Sequence, residues 1–372
     1  MAPTPRPGIL DVAPYVGGAA HLDGVARVAR LASNENPLGP SPDAAMAYTE
    51  LADSLHRYPD GNCTALREAL AEIHGLDPAR IVCGAGSDEL ITLLVRAYAG
   101  PGDEVLYSRH GFLMYPIAAK IAGATPIAVP ETELSADVDA ILARVTERTR
   151  LIFLANPNNP TGSYLDSDAL ARLQADLPSE VLLVLDAAYA EYVDAADYID
   201  GAALVDRGDT VAVTRTFSKI YGLAALRLGW SYAPAAVSDV LNRLRGPFNV
   251  AAAAQTAGLA ALRDQEHIVR SANHNARWRT WWRAQATRAG LVALPSEGNF
   301  VLLDLGTPTA ATAAEAAFRR HGVLVRQMAK YGLPAHLRVS IGTEADMHQA
   351  AGALGEVAEA AARAEAADTA ES

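Results

Sequence analysis

Between residues 79 and 232, short apolar runs alternate with stretches whose apolar positions recur at helical spacing. The run Arg80-Ile81-Val82-Cys83 precedes a predicted helix over 88–98, and Glu104-Val105-Leu106-Tyr107 precedes one over 114–122. Leu151-Ile152-Phe153-Leu154-Ala155 leads through a proline- and asparagine-rich loop to a helix over 166–176. Further strands are predicted at 181–185, 210–213 and 228–232. Strands that are apolar at successive positions, not alternate ones, are buried on both faces, and their alternation with helices makes them parallel. The pattern predicts an α/β fold with a mostly parallel central sheet, whose ligands sit beyond the carboxyl ends of its strands.

After Pro247 the chain becomes Ala-rich and helical, with a long helix over 265–289. Two strands, 300–304 and 337–341, flank a helix over 312–321, which reads as a smaller α+β domain. Residues 1–44 carry too little pattern to fold alone and are expected to pack across both parts. The expected division is a large domain over 45–260, a small one over 261–365, and a tail over 366–372 that frays.

Composition narrows the function. The 372 residues are 50% hydrophobic and 20% charged, as in a soluble globular protein. A net charge of −12 argues against a nucleic-acid or anionic-membrane surface, and no stretch reaches a membrane span. Cys63 and Cys83 form no disulfide framework or zinc spacing, and Met1 to Gly18 lacks an apolar signal-peptide core, so a reducing cytoplasm is the expected location. No metal site is expected; His267 and His274, amid Arg and Asn, read as surface residues. Of 31 basic residues only Lys120, Lys219 and Lys330 are lysine. Compositional drift explains the scarcity, but a retained lysine can also mark a place where only a primary amine serves. Arginine stays protonated and cannot attack a carbonyl.

Four polar motifs stand at strand ends. Gly84-Ala85-Gly86-Ser87-Asp88-Glu89 enters a helix, where free N–H groups and the dipole suit a phosphate. Glu89 stands where a dinucleotide fingerprint needs glycine, and helix capping by Ser87 or Asp88 is the plain alternative. Asn156-Pro157-Asn158-Asn159-Pro160-Thr161-Gly162 follows a buried strand and could be a simple turn. Asp186 ends five apolar residues and must meet a cation, donors or a helix N-terminus. Thr216-Phe217-Ser218-Lys219, with Arg227 eight residues after the lysine, offers an amine, hydroxyls and a guanidinium to one phosphate and one aldehyde.

In this order the motifs resemble the aspartate-aminotransferase-type (fold type I) pyridoxal-phosphate enzymes. The resemblance implies pyridoxal 5'-phosphate as cofactor, Lys219 as the lysine that binds its aldehyde, and Asp186 as partner of its ring nitrogen. It implies Asn159 and Tyr189 at the phenolic oxygen and Phe112 stacked on the ring. Gly86, Ser87, Asp88, Thr216, Ser218 and Arg227 would hold the phosphate. A carboxylate that keeps the ring nitrogen protonated makes the ring an electron acceptor, and the displaced lysine can move a proton.

Flanking segments narrow the resemblance to histidinol-phosphate aminotransferases: Ser33-Asn34-Glu35-Asn36-Pro37-Leu38-Gly39, Arg57-Tyr58-Pro59-Asp60-Gly61, and the late segments around Arg326, Tyr331 and Arg338. This implies a homodimer in which Tyr58 reaches the neighbouring subunit's cofactor phosphate. Tyr15, Asn36, Asn159, Arg326 and Arg338 would bind the substrate. Bidentate Arg suits anionic substrates such as histidinol phosphate and 2-oxoglutarate. Departures occur at Ala187, Gly17-Gly18 and Gln327. None removes a catalytic group, and the last two lie near the substrate end. An aromatic amino-acid aminotransferase, a dual-specificity enzyme and a threonine-phosphate decarboxylase share the layout. A non-catalytic regulator would need a DNA-binding segment for which the chain has no room.

Overall fold

A computed structural model describes residues 3–6, 8–12, 21–22, 24–25 and 27–371, with side chains as far as 368. Seven strands form the large sheet: β1 (Ile81–Gly84), β2 (Glu104–Ser108), β3 (Thr125–Val129), β4 (Thr149–Ala155), β5 (Leu182–Asp186), β6 (Val211–Thr216) and β7 (Gly229–Tyr232). Their order is β1-β7-β6-β5-β4-β2-β3. Every pairing is parallel except those of β7 with β1 and β6. Residues 217–228 join β6 to β7 with one 3-10 turn, Ala224–Leu226, and no crossover helix, so the chain turns straight back and the two strands pair antiparallel. That short return brings Lys219 and Arg227 to the same end of the sheet.

Both faces of the sheet are covered, as successive apolar residues require. Ile152, Leu154, Leu183 and Leu185 enter one core, with helices Thr64–His74, Ser167–Asp176 and Ala252–Arg263. Leu151, Phe153, Leu182 and Val184 enter the other, with Ser87–Tyr98, Met114–Ala122 and Ala235–Leu244. The apolar runs did not predict β3. It is an edge strand with exposed Thr125 and a proline at 126, and proline within a run counts against a strand except at an edge.

The second unit is an antiparallel sheet, β8 (Val292–Ala293), β9 (Phe300–Asp304), β10 (Arg326–Met328) and β11 (Leu333–Ser340), in the order β8-β9-β11-β10. Helices Gln265–Arg288, Pro308–Arg320 and Glu344–Glu371 supply Trp278, Trp282, Phe318, Met347 and Val357 to its core. The last helix continues beyond residue 366, where fraying was expected. Thr309 Oγ1 donates to Asp368, which ties the final turns to the neighbouring helix. His267 and His274, which read as surface residues in the sequence, are engaged by other segments. His267 is buried instead and meets the Gly39 carbonyl at 3.1 Å, while His274 meets the Gly342 carbonyl at 2.9 Å. Both rings bridge the long helix to other segments.

The segment before the first helix joins the two units. Ala29–Arg30 pairs in parallel with Val323–Leu324, and Leu31 O accepts from Ser340 N at 2.9 Å. A few residues on, Asn36 Nδ2 donates to Ile220 O at 2.7 Å. The same segment therefore touches the small sheet and the lysine loop. Among the described residues no helix is long and apolar enough to cross a membrane, and no cluster is arranged to hold a metal ion.

Candidate functional site

The carboxyl ends of β4, β5 and β6 open onto a cavity of about 240 Å³, closed on its far side by the small sheet. Asp186, the last residue of β5, is only 4% exposed. Tyr115 donates to its Oδ2 at 2.8 Å and Thr214 to its Oδ1 at 3.2 Å. Burial pushes its carboxyl up to about 6, against those two hydrogen bonds and the Lys219 charge. A carboxylate placed so, with neutral donors only, calls for a cationic ligand. Tyr189 follows in the turn after β5; Asn34 Nδ2 donates to its hydroxyl at 3.0 Å, and Lys219 Nζ lies 5.8 Å from its ring centre. Lys219 Nζ also reaches Ser33 O at 3.5 Å.

One end of the cavity is built for an anion. Helix Ser87–Tyr98 has Gly86 as N-cap with no side-chain capping bond, so neither Ser87 nor Asp88 is spent as a cap. Glu89 instead accepts from Ala85 N at 2.6 Å, which fixes the turn and leaves the first N–H groups facing the cavity. Gly86 has φ +86, and a Cβ there would lie 2.5 Å from Arg227 Nη2. Arg227 in turn donates to Ser218 Oγ at 3.2 Å and pairs with Asp88 at 3.1 Å. Thr216 lines the cavity too, while its Oγ1 accepts from Ser218 N at 3.1 Å and shapes the loop.

The opposite wall is cationic. Arg338, on β11, donates to Asn159 Oδ1 and, at 2.9 Å, to Ala32 O; its guanidinium lies 5.4 Å from the Phe300 ring centre. With its oxygen held by Arg338, Asn159 turns its NH₂ toward other acceptors. Arg326 and Phe112 also line the cavity, with Tyr331, Ser33 and Asn34, which the motifs do not mark as site residues.

Of three further expected residues, two lie elsewhere. Tyr15 falls outside the described residues. Asn36 is turned away from the cavity: its amide donates to Ile220 O and Ser271 Oγ, and its oxygen accepts from Leu38 N, so it braces the loop. Asn34 faces the cavity in its place, at φ +56, a left-handed turn that asparagine tolerates. Spacing alone cannot separate two asparagines in one motif. Tyr58 is 83% exposed on the outer surface, stacked on Phe248 with ring centres 4.7 Å apart.

These residues fit pyridoxal phosphate on the structure's own terms. A buried acid lacks a cation where a protonated ring nitrogen would supply one, and an uncapped helix start with Arg227 and two serines suits a phosphate. An amine stands between them. Comparison with known proteins agrees. Residues 26–354 match the family described as aminotransferase class I and II. A histidinol-phosphate aminotransferase of Rhodospirillum centenum is 59% identical, over 95% of this chain and 98% of that protein. Another, from Rhodospirillum rubrum, is 55% identical over 95% and 97%. The crystal structure of histidinol-phosphate aminotransferase from Sinorhizobium meliloti in complex with pyridoxal-5'-phosphate superposes with a TM-score of 0.89 at 29% identity, over 96% of this chain and 98% of that one. With fold, site and sequence in agreement, the chain belongs to the class I and II aminotransferases, the fold type I family of pyridoxal-phosphate-dependent enzymes.

Proposed function

We propose that this aminotransferase moves the amino group of L-histidinol phosphate to 2-oxoglutarate, giving imidazole-acetol phosphate and L-glutamate, in L-histidine biosynthesis. The 59% identity to a histidinol-phosphate aminotransferase over nearly the whole chain carries this reading. The site supports it through its charges: within a protein of net charge −12, Arg326 and Arg338 line one cavity wall and Arg227 another, which concentrates cations where two anionic substrates must bind in turn.

Bound pyridoxal phosphate supplies an aldehyde to receive the amino group and a protonated ring to accept electrons from the substrate carbon. Asp186 holds the ring-nitrogen proton in place. Gly86, Ser87, Asp88, Ser218, Thr216 and Arg227 orient the phosphate, and Phe112 covers the ring. Asn159 and Tyr189 bind the phenolic oxygen. Lys219 Nζ would be the amine that holds the cofactor's aldehyde and, when free, would take and return the proton of the substrate carbon. Arg338 and Arg326 bind the substrate's anionic end. Tyr58, exposed on its own subunit, completes a neighbour's phosphate site in a homodimer, and the enzyme works in the cytoplasm.

Two measurements test this. Purified protein should carry the visible absorbance of lysine-linked cofactor, and Lys219→Ala should lose both that band and transamination; retention of both refutes the assignment. The kcat/KM for histidinol phosphate should exceed that for phenylalanine and tyrosine with 2-oxoglutarate. A preference for the aromatic amino acids would replace the substrate assignment and leave the roles of Lys219 and Asp186 standing.

A further inference from the structure

Asn34 comes from the segment that joins the two units, Ser340 from the end of β11, and Tyr189 from the turn after β5. The three side chains meet beside the cavity. Asn34 is 1% exposed and Ser340 2%, so solvent cannot satisfy their polar atoms. Ser340 Oγ accepts from Asn34 N at 2.8 Å and donates to Asn34 Oδ1 at 2.8 Å. Asn34 Nδ2 then donates to Tyr189 Oη at 3.0 Å. Asn299 Nδ2 holds the carbonyl of Asn34 at 3.0 Å, so the backbone is pinned as well.

This arrangement has one direction. A backbone N–H can only donate, so it must use a lone pair of the serine oxygen. The serine has one proton, and both of its hydrogen-bond partners among the described residues belong to Asn34. Turning the amide over would place NH₂ against Ser340 and strand the hydroxyl proton in a buried place, a cost comparable to a lost hydrogen bond. The amide is therefore held with its oxygen toward Ser340 and its NH₂ toward Tyr189. A phenol that accepts from an amide keeps its single proton for another acceptor, and Tyr189 lines the cavity.

We propose that Asn34 and Ser340 are positioning residues that fix the direction and strengthen the acidity of the Tyr189 proton, so that Tyr189 acts as a one-way donor to the cofactor's phenolic oxygen. The inference rests on the cofactor reading given above. A hydroxyl that accepts one hydrogen bond donates a stronger one, since neighbouring bonds polarise each other. Donation to the phenolic oxygen draws negative charge from it and makes the proton on the linked lysine nitrogen easier to lose. Other charged or titratable groups around Tyr189 are Lys219 on its loop, Asp186 on β5 with Tyr115 behind it, Tyr192 in the same turn, Asp88 at the helix start, and Arg338, Arg326 and Tyr331 from the small-sheet side. None of these belongs to the chain from Ser340 through Asn34 to Tyr189, so their contributions are common to wild type and variants. Ser340 lies two residues beyond Arg338 on β11, so one strand carries both the substrate's anion contact and the start of this proton-orienting chain.

The test is the pH midpoint of the cofactor's visible band, read without substrate. Asn34→Gly removes the amide while leaving φ +56 unstrained, and Ser340→Ala frees the amide to turn. Both should raise the midpoint by about 0.7 unit, equivalent to ~1 kcal/mol, in the direction that Tyr189→Phe moves it further. Ser340→Thr keeps the hydroxyl and should stay at the wild-type midpoint. A midpoint that moves for Tyr189→Phe but holds for both Asn34→Gly and Ser340→Ala overturns the inference alone. Wild-type protein without a visible band at any pH overturns the cofactor reading and the inference with it. Should Asn34→Gly not fold, Ser340→Ala against Ser340→Thr decides the matter.

Discussion

Replacing Asp186 with asparagine should act in opposite directions on stability and on function. In the cofactor-free chain, burial lifts this carboxyl from an ordinary 3.8 to about 6. The unfolded carboxyl therefore ionises first as pH rises, and the folded state binds the extra proton between about pH 4 and pH 6. Stability is fully present below that window, falls through it, and stays reduced above it. A displacement of about two pH units sets a ceiling of ~3 kcal/mol on the loss. Asparagine does not titrate and keeps the geometry: Tyr115 can still donate to its oxygen, while Thr214 can rotate to accept from its NH₂. Urea denaturation of cofactor-free wild type and Asp186→Asn, from about pH 4.5 to pH 8, should show curves that diverge through the window, with the variant up to ~3 kcal/mol more stable at the alkaline end. Cofactor affinity should move the other way. Loss of a hydrogen bond to a charged ring nitrogen is worth ~1.5–3 kcal/mol, or about 10- to 150-fold in Kd. Stability curves that run parallel across the whole range would refute the claim that burial holds the Asp186 carboxyl above its ordinary value.

Arg338→Lys keeps the charge but loses the fork that spans Ala32 O and Asn159 Oδ1; kcat/KM should fall about 10- to 100-fold, mostly through KM, and an unchanged KM would remove Arg338 from substrate binding. Gly222→Ala should cost ~2–4 kcal/mol by thermal denaturation, since φ is +67 and a Cβ would lie 2.2 Å from Gly39 O. Gly352→Ala, in open space on a helix, serves as its control and should stabilise by up to ~1 kcal/mol. Mixing inactive Lys219→Ala with Tyr58→Ala subunits should restore about a quarter of the wild-type sites if each tyrosine serves its neighbour, because half of the dimers are mixed and each carries one intact site. No recovery after subunit exchange would place Tyr58 outside the partner's site.

Much of the site was legible because buried parallel strands write themselves as unbroken apolar runs. A polar residue at the end of such a run stands out, as Asp186 does after 181–185, and the fold places every such end on one side. What the sequence hid depends on contacts between distant segments. β3 carries a proline that suits an edge, but nothing local announces the edge. His267 and His274 look like surface histidines until Gly39 and Gly342 are folded against them. Asn34 and Asn36 share a motif, and only the turn at φ +56 decides which of them meets Tyr189.

Strand register explains why Asp186 remains available to a ligand at all. Asp186 pairs in register with Thr214 on β6, and the neighbouring residue is Arg215, a buried cation. Side chains alternate across a strand, so Thr214 and Thr216 point to the cavity side while Arg215 points to the other face. There Arg215 meets Glu191 at 2.8 Å and Asp200 at 2.7 Å, and lies over the Trp230 ring. Its charge is satisfied one sheet-thickness from the acid it would otherwise neutralise. A slip of one residue between β5 and β6 would turn Arg215 toward Asp186 and quench the site within the protein itself. The apolar sets Val211 with Val213 and Ala212 with its neighbours forbid that slip, because each belongs to a different core. The hydrophobic alternation that holds the sheet together thus also keeps Arg215 away from the cofactor's place.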